Sequence, residues 1–132
     1  MKLAYPACFY EEKDGGYSVE IPDLPCATCG DNLADAVEMA IDAASGWILT
    51  SLEDGERIPK PTNPKDVKLE YDNGFVSILV LDMDAYTEKY GESAVRKNVT
   101  IPAYLNTLAE KENINFSHVL QESLKEKLHL KQ

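Results

Sequence analysis

The sequence predicts an α+β chain in two parts. Residues 1–91 read as a small antiparallel sheet with one long packed helix, and residues 95–132 as a strand and two helices completed by a second copy. Three observations predict this. Short alternating apolar runs parted by turn residues fill the first thirty or so positions, and a single stretch with apolar residues three and four apart follows. The charge is also split: residues 1–92 carry 7 basic and 19 acidic side chains, net −12, while residues 93–132 carry 6 and 4, net +2.

The elements follow in order. Leu3, Tyr5, Ala7 and Phe9 alternate as a strand should. Asp14-Gly15-Gly16 supplies a permissive turn, and Tyr17, Val19 and Ile21 alternate again, with Ser18 and Glu20 on the other face. Pro22-Asp23-Leu24-Pro25 turns the chain into a short third strand, Cys26 to Gly30. Asp31 or Asn32 then caps a helix whose stripe is Leu33, Ala36, Val37, Ala40, Ala44, Trp47 and Ile48, ending near Asp54-Gly55. The small residues in its middle, Gly46 among them, predict close packing on the sheet. After three prolines between Pro59 and Pro64, Val67 to Tyr71 alternates, Asp72-Asn73-Gly74 turns, and Phe75 to Leu81 is apolar enough for a strand covered on both sides. Asp82 to Tyr90 reads as a short helix stopped by Gly91, which places the boundary between the two parts near 91–95.

In the second part Val95, Val99 and Ile101 fall on one face of a strand, and Arg96, Asn98 and Thr100 on the other. Pro102 ends the strand and suits the start of a helix. Leu105, Leu108 and Ala109 give that helix an apolar side, Ile114 fills the next turn, and Val119, Leu120, Leu124 and Leu128 line a second helix. This is too little core for a monomer. A lone strand also leaves its backbone donors and acceptors unpaired. A second copy of the strand solves both problems, with Val99, Ile101, Leu105, Leu108, Val119, Leu120 and Leu124 as the dimer core. The two-stranded ribbon so formed is narrow enough for a DNA major groove.

Cys8, Cys26 and Cys29 fit a reduced compartment better than a disulfide scaffold. Cys26-Ala-Thr-Cys29 has half the spacing of a zinc site, but no second pair follows, and His118 and His129 would lie about 16 Å apart along a helix. No metal or cofactor is expected. The first residues lack the apolar run of a signal peptide, and no segment has the length of a membrane helix, so a cytoplasmic protein with no membrane partner is the expectation.

The 95–130 pattern resembles the ribbon-helix-helix family of DNA-binding dimers. That resemblance implies that Arg96, Asn98 and Thr100 read bases, and the chemistry suits them: Arg pairs with guanine, Asn with adenine, and Thr offers a hydroxyl and a methyl. It also implies a phosphate clamp at the N-terminus of the second helix, on Asn115, Phe116 and Ser117, where free N–H groups and the helix dipole favour an anion. The front part is similar to the N-terminal domain of HicB-type antitoxins. The matching residues are Tyr5-Pro6-Ala7, Asp14 to Val19, Ile21 to Pro25, Gly30-Asp31 and Leu52-Glu53-Asp54-Gly55. The order and spacing of these segments carry the likeness, which departs from the family's usual Gly-Cys pair at Cys26 to Cys29.

The resemblance implies a truncated ribonuclease-H-like fold and a protein without catalytic activity of its own. It would block a HicA-type toxin, a small basic mRNA-cleaving ribonuclease, and repress its own operon by binding operator DNA. The C-terminal part would make the homodimer, and toxin would build a higher hetero-oligomer. An acidic front part fits a basic target. Glu11, Glu12 and Asp14 are unranked candidates for facing the toxin, so the toxin-binding residues are left open. Two other functions compete. One is a transcription regulator whose front part senses a ligand or only oligomerises. The other is a metal-dependent nuclease using carboxylates such as Glu20, Asp23, Asp31, Asp35, Glu38, Asp82 and Asp84.

Overall fold

A computed structural model describes residues 1–91 and 95–130. The junction expected at 91–95 therefore lies largely outside the described residues, as do positions 131 and 132. The chain separates into two compact units, one of residues 2–91 and one C-terminal to it.

In the first unit β1 (Lys2–Glu11), β2 (Tyr17–Ile21) and β3 (Cys26–Gly30) form an antiparallel meander. The turn between β1 and β2 has Gly15 at φ 89°, a left-handed conformation open to glycine, and the Asp14 carboxylate accepts from Gly16 N–H at 2.9 Å. The helix α1 (Leu33–Glu53) follows. Its first turn is closed reciprocally: the Asn32 side chain accepts from Asp35 N–H at 2.9 Å, and the Asp35 carboxylate accepts from Asp31 N–H at 2.8 Å. A later strand, β4 (Gly74–Asp82), pairs antiparallel with β1 along nearly its whole length, giving the sheet order β3-β2-β1-β4. Asp82 caps the short helix α2 (Met83–Tyr90), with Gly91 at its C-terminal end.

The helix lies on the sheet face carrying Tyr5, Ala7, Phe9, Val19, Ile21, Leu79 and Leu81, all buried, against Ala36, Ala40, Ala44 and Ile48. Gly30 shows how tight the seam is. A methyl at this position would come within 2.3 Å of the Ala36 backbone nitrogen, which cannot swing away as a side-chain tip can. Gly30→Ala should cost about 1–3 kcal/mol by overpacking. A urea unfolding midpoint unchanged from wild type would contradict that seam.

Four expectations need correction. Val67 to Tyr71 is not a strand: β4 pairs with β1, and the segment before it joins no ladder. The segment is instead a loop with one 3-10 turn, Pro64–Asp66, pinned at several points. Tyr5 Oη donates to Pro59 C=O at 2.5 Å, and Asp23 accepts from Thr62 N–H at 2.8 Å and Oγ1 at 2.6 Å. Tyr10 Oη accepts from Glu70 N–H at 3.0 Å, with Tyr71 edge-on to its ring. Secondly, β4 is covered on one face only: Val76 is half-buried, and Ile78 and Val80 are exposed, Val80 at 55%. Thirdly, Leu33 stands outside the core at 44% exposure, while Ser45 and Leu49 are inside. Fourthly, Gly46 serves α2 rather than the sheet, since its missing side chain makes room for Tyr86.

The second unit contains α3 (Ala103–Lys111), with Pro102 at its N-cap, and α4 (Phe116–Lys127). Asn113 takes a left-handed φ of 55° in the turn between them, a conformation asparagine tolerates. Residues 95–101 have no ladder partner among the described residues and lie exposed.

Candidate nucleic-acid interface and acidic face

In the C-terminal unit the chain passes from 95 to 101 straight into α3, and the sequence that reads as a strand joins no sheet among the described residues. Arg96, Asn98 and Thr100 are all exposed there. Asn115 caps α4 as its sequence position suggests: its side-chain oxygen accepts from His118 N–H at 3.0 Å. Phe116 and Ser117 follow on the first turn, both exposed, with Ser117 at the rim of an apolar groove of about 540 Å³.

That groove is lined by Val99, Ile101, Leu105, Val119 and Leu120, five of the seven residues expected in a dimer core. The other two, Leu108 and Leu124, are exposed as well. No residue of α3 or α4 is buried. Val99 is 67% exposed and Leu120 38%. Contiguous exposed apolar surface of this kind marks an interaction site.

The N-terminal unit has the opposite character. Between Lys13 and Arg57 there is neither lysine nor arginine, and ten carboxylates fall in that interval. At the β1–β2 turn and the start of α1, Glu12, Asp14, Asp31 and Asp35 surround a groove of about 380 Å³ that also takes in Tyr17 and Met39. Glu12 and Asp14 thus lie at this groove, whereas Glu11, the third carboxylate singled out beside the turn, does not line it.

Three of the seven carboxylates weighed for a nuclease have structural roles. Asp35 and Asp82 cap helices and Asp23 holds Thr62. Among the described residues no three metal-ligating side chains converge. Cys26 pairs with Ile21 and Cys29 with Ser18 across the β2–β3 ladder, so the two thiols point to opposite faces of the sheet. Burial pushes the Cys8 and Cys26 thiols above the ordinary range. Cys29, exposed, should therefore be the first thiol alkylated in the native protein, with Cys8 protected until unfolding. Peptide mapping after brief iodoacetamide treatment checks this, and early labelling of Cys8 would contradict the burial of β1.

Among the described residues no helix is long and apolar enough to cross a membrane.

Known proteins bear on both units. The family model described as HicB-like antitoxin of bacterial toxin-antitoxin system matches residues 5–123. An uncharacterized 14.9 kDa protein from the rep-hol intergenic region of Haemophilus phage HP1 is 36% identical over 107 residues, covering 78% of this chain and 76% of that protein. Antitoxin HicB 1 of Photorhabdus laumondii is 42% identical over 60 residues, 45% of this chain and 39% of its own. A chain of a toxin-antitoxin complex from Streptococcus pneumoniae shares the fold over 96% of this chain and 99% of its own, with a TM-score of 0.61 at 24% identity. With the family model spanning nearly the whole chain, both units included, this protein belongs to the HicB-like antitoxins of bacterial toxin-antitoxin systems.

Proposed function

We propose that the protein neutralises a HicA-type mRNA-cleaving toxin through its acidic N-terminal unit and represses its own operon through a ribbon-helix-helix dimer built from its C-terminal unit. The observation that carries the reading is the contrast between the two units. One is a folded domain with a real core and a surface of carboxylates. The other exposes nearly all of its large apolar side chains and bears a strand-like segment that has no ladder partner among the described residues. In the proposed dimer two copies of residues 96–101 pair side by side, which buries Val99 and Ile101 and turns Arg96, Asn98 and Thr100 outward into the major groove. The N-terminus of α4, with Asn115, Phe116 and Ser117, lies against a backbone phosphate. The mild positive charge of this unit leaves affinity to a few placed contacts and to the pairing of two half-sites.

The N-terminal unit acts on the toxin. Its run of carboxylates complements a basic protein, accelerates encounter, and covers a surface that would otherwise receive RNA phosphates. On this reading the protein performs no chemistry and requires no cofactor. It works in the cytoplasm, where toxin and operator are found.

The test is direct. The purified protein is mixed with the small basic product encoded beside its gene, and complex formation and RNA cleavage are measured. Tight binding with loss of cleavage is expected, and absence of binding overturns the antitoxin reading for this pair. In the same preparation Arg96→Ala should weaken operator binding by about 1–3 kcal/mol, the scale of one bidentate base contact, and leave toxin binding unchanged. Equal loss of both activities would show that the two units do not divide the work in this way.

A further inference from the structure

A second groove, of about 480 Å³, opens between α1 and α2. One wall comes from successive turns of α1: Asp42, Gly46, Trp47 and Thr50. Tyr86 of α2 and Glu56, just beyond the end of α1, complete it. Gly46 shapes the space, because a side chain there would begin 3.1 Å from Tyr86 Oη. Two aromatic rings and two carboxylates thus border one opening, and no lysine or arginine lines it. Neither Asp42 nor Glu56 forms a salt bridge among the described residues. Burial, and then the Asp42 carboxylate nearby, push the Tyr86 phenol above its usual range, so the ring stays neutral beside a negative charge. One turn on, Lys89 already sets its ammonium 5.2 Å from the ring centre of Tyr90, which itself packs on Tyr86.

We propose that this groove is an anchor site for a cationic side chain, an arginine or lysine, presented by the protein that the antitoxin blocks. The inference rests on the toxin-neutralising reading and gives it a location. An aromatic face attracts a cation through its quadrupole, and carboxylates at the rim complete its charge. The combination selects a guanidinium or ammonium over an apolar side chain, and no lysine or arginine of the chain lines the groove itself. A flat planar guanidinium stacked on Trp47 or Tyr86 can also reach a carboxylate with its edge, which favours arginine. Interface anchors of this sort, an arginine in a pocket with aromatic walls, carry a large share of binding energy.

The experiment measures toxin affinity for the full chain and for three variants. Asp42→Asn with Glu56→Gln removes both rim charges. Glu20→Gln with Glu38→Gln removes the same net charge from exposed positions outside the groove. Tyr86→Leu removes one aromatic wall. The first double variant should lose at least about tenfold in affinity, the scale of losing an interfacial charge partner, and Tyr86→Leu a similar amount, while the control double variant stays within about threefold. Circular dichroism and a urea midpoint confirm that each variant is folded. Equal weakening by the two double variants would mean that only the general field matters and would overturn the anchor, as would no weakening by either. If wild-type protein fails to bind the toxin at all, the antitoxin reading falls, and the groove is decided separately with a hexa-arginine peptide. Trp47 is the only tryptophan in the chain, so its fluorescence reports this site alone. A change on adding peptide that is lost in Asp42→Asn/Glu56→Gln keeps the cation site. The same change in both, or none in either, removes it.

Discussion

Leu120→Glu should convert the C-terminal dimer to monomers and abolish operator binding, with the N-terminal unit still folded and still binding toxin. Leu120 lines the apolar groove beside Val99 and Ile101. On the proposed assembly that groove is where the second copy packs. Lys97 is the one cation lining that groove. A carboxylate placed among Val99, Ile101 and Val119 is desolvated on pairing, which costs several kcal/mol per ion and is incurred twice in a two-fold dimer. The loss exceeds what one base contact contributes, because both half-site contacts and the ribbon itself depend on pairing. Sedimentation velocity should show a monomer at concentrations where wild type is dimeric, and gel shifts should show no specific complex. A Leu120→Glu protein that remains dimeric and binds operator would place the dimer seam elsewhere.

Phe9→Ala should have the largest effect on the N-terminal unit. Phe9 is fully buried in β1, stacked on Phe75 of β4 with ring centroids 5.3 Å apart. It joins the two strands that form the sheet's longest pairing, Lys2 with Asp82 through Tyr10 with Gly74. Truncation leaves a cavity between α1 and the sheet, and Phe→Ala changes in cores cost about 3–5 kcal/mol. Against a typical domain stability of about 5–15 kcal/mol, that leaves the unit marginal at 37 °C. Toxin binding should fall with the folded fraction, while the C-terminal unit keeps its affinity for DNA. A denaturation midpoint shifted by less than about 1 kcal/mol equivalent would contradict the described packing.

How far the sequence could be read depended on whether the informative contact was local. The β1–β2 hairpin, β3, α1 and its Asn32 cap follow from alternation, turn residues and a capping side chain, all set within a few positions. Val67 to Tyr71 alternates just as convincingly, yet the segment joins no ladder and Glu70 N–H donates to the Tyr10 side chain. Periodicity states that a segment could pair, and the contacts made elsewhere in the fold decide whether it does. Val76, Ile78 and Val80 mislead in a similar way, since an apolar run reads as covered whether or not anything covers it. Leu33, in the first turn of α1, stays exposed, and Leu49, absent from the expected stripe, is buried.

The candidate sites divide along the same line. Asn115 as the cap of α4 was legible because capping is local. The groove between α1 and α2 was not, since it joins Gly46 to Tyr86 across forty positions and only the docking of two helices reveals it. Its one sequence trace is Gly46, which the sequence alone assigns to packing on the sheet. The proposed DNA-reading face is a different case: on that reading Arg96, Asn98 and Thr100 act only once a second chain supplies the other strand, and the single chain displays the segment without a ladder partner among the described residues.

Mixed dimers of isotope-labelled and unlabelled protein therefore give the most direct test, by filtered NMR that detects only contacts between copies. Antiparallel pairing requires short Cα–H to Cα–H distances between residues 96–101 of one protomer and the same segment of its partner, and these cross-peaks are the expected result. If that segment turns out helical in the dimer, or contacts only residues of its own chain, the ribbon does not exist and the repressor function has to be sought on another surface.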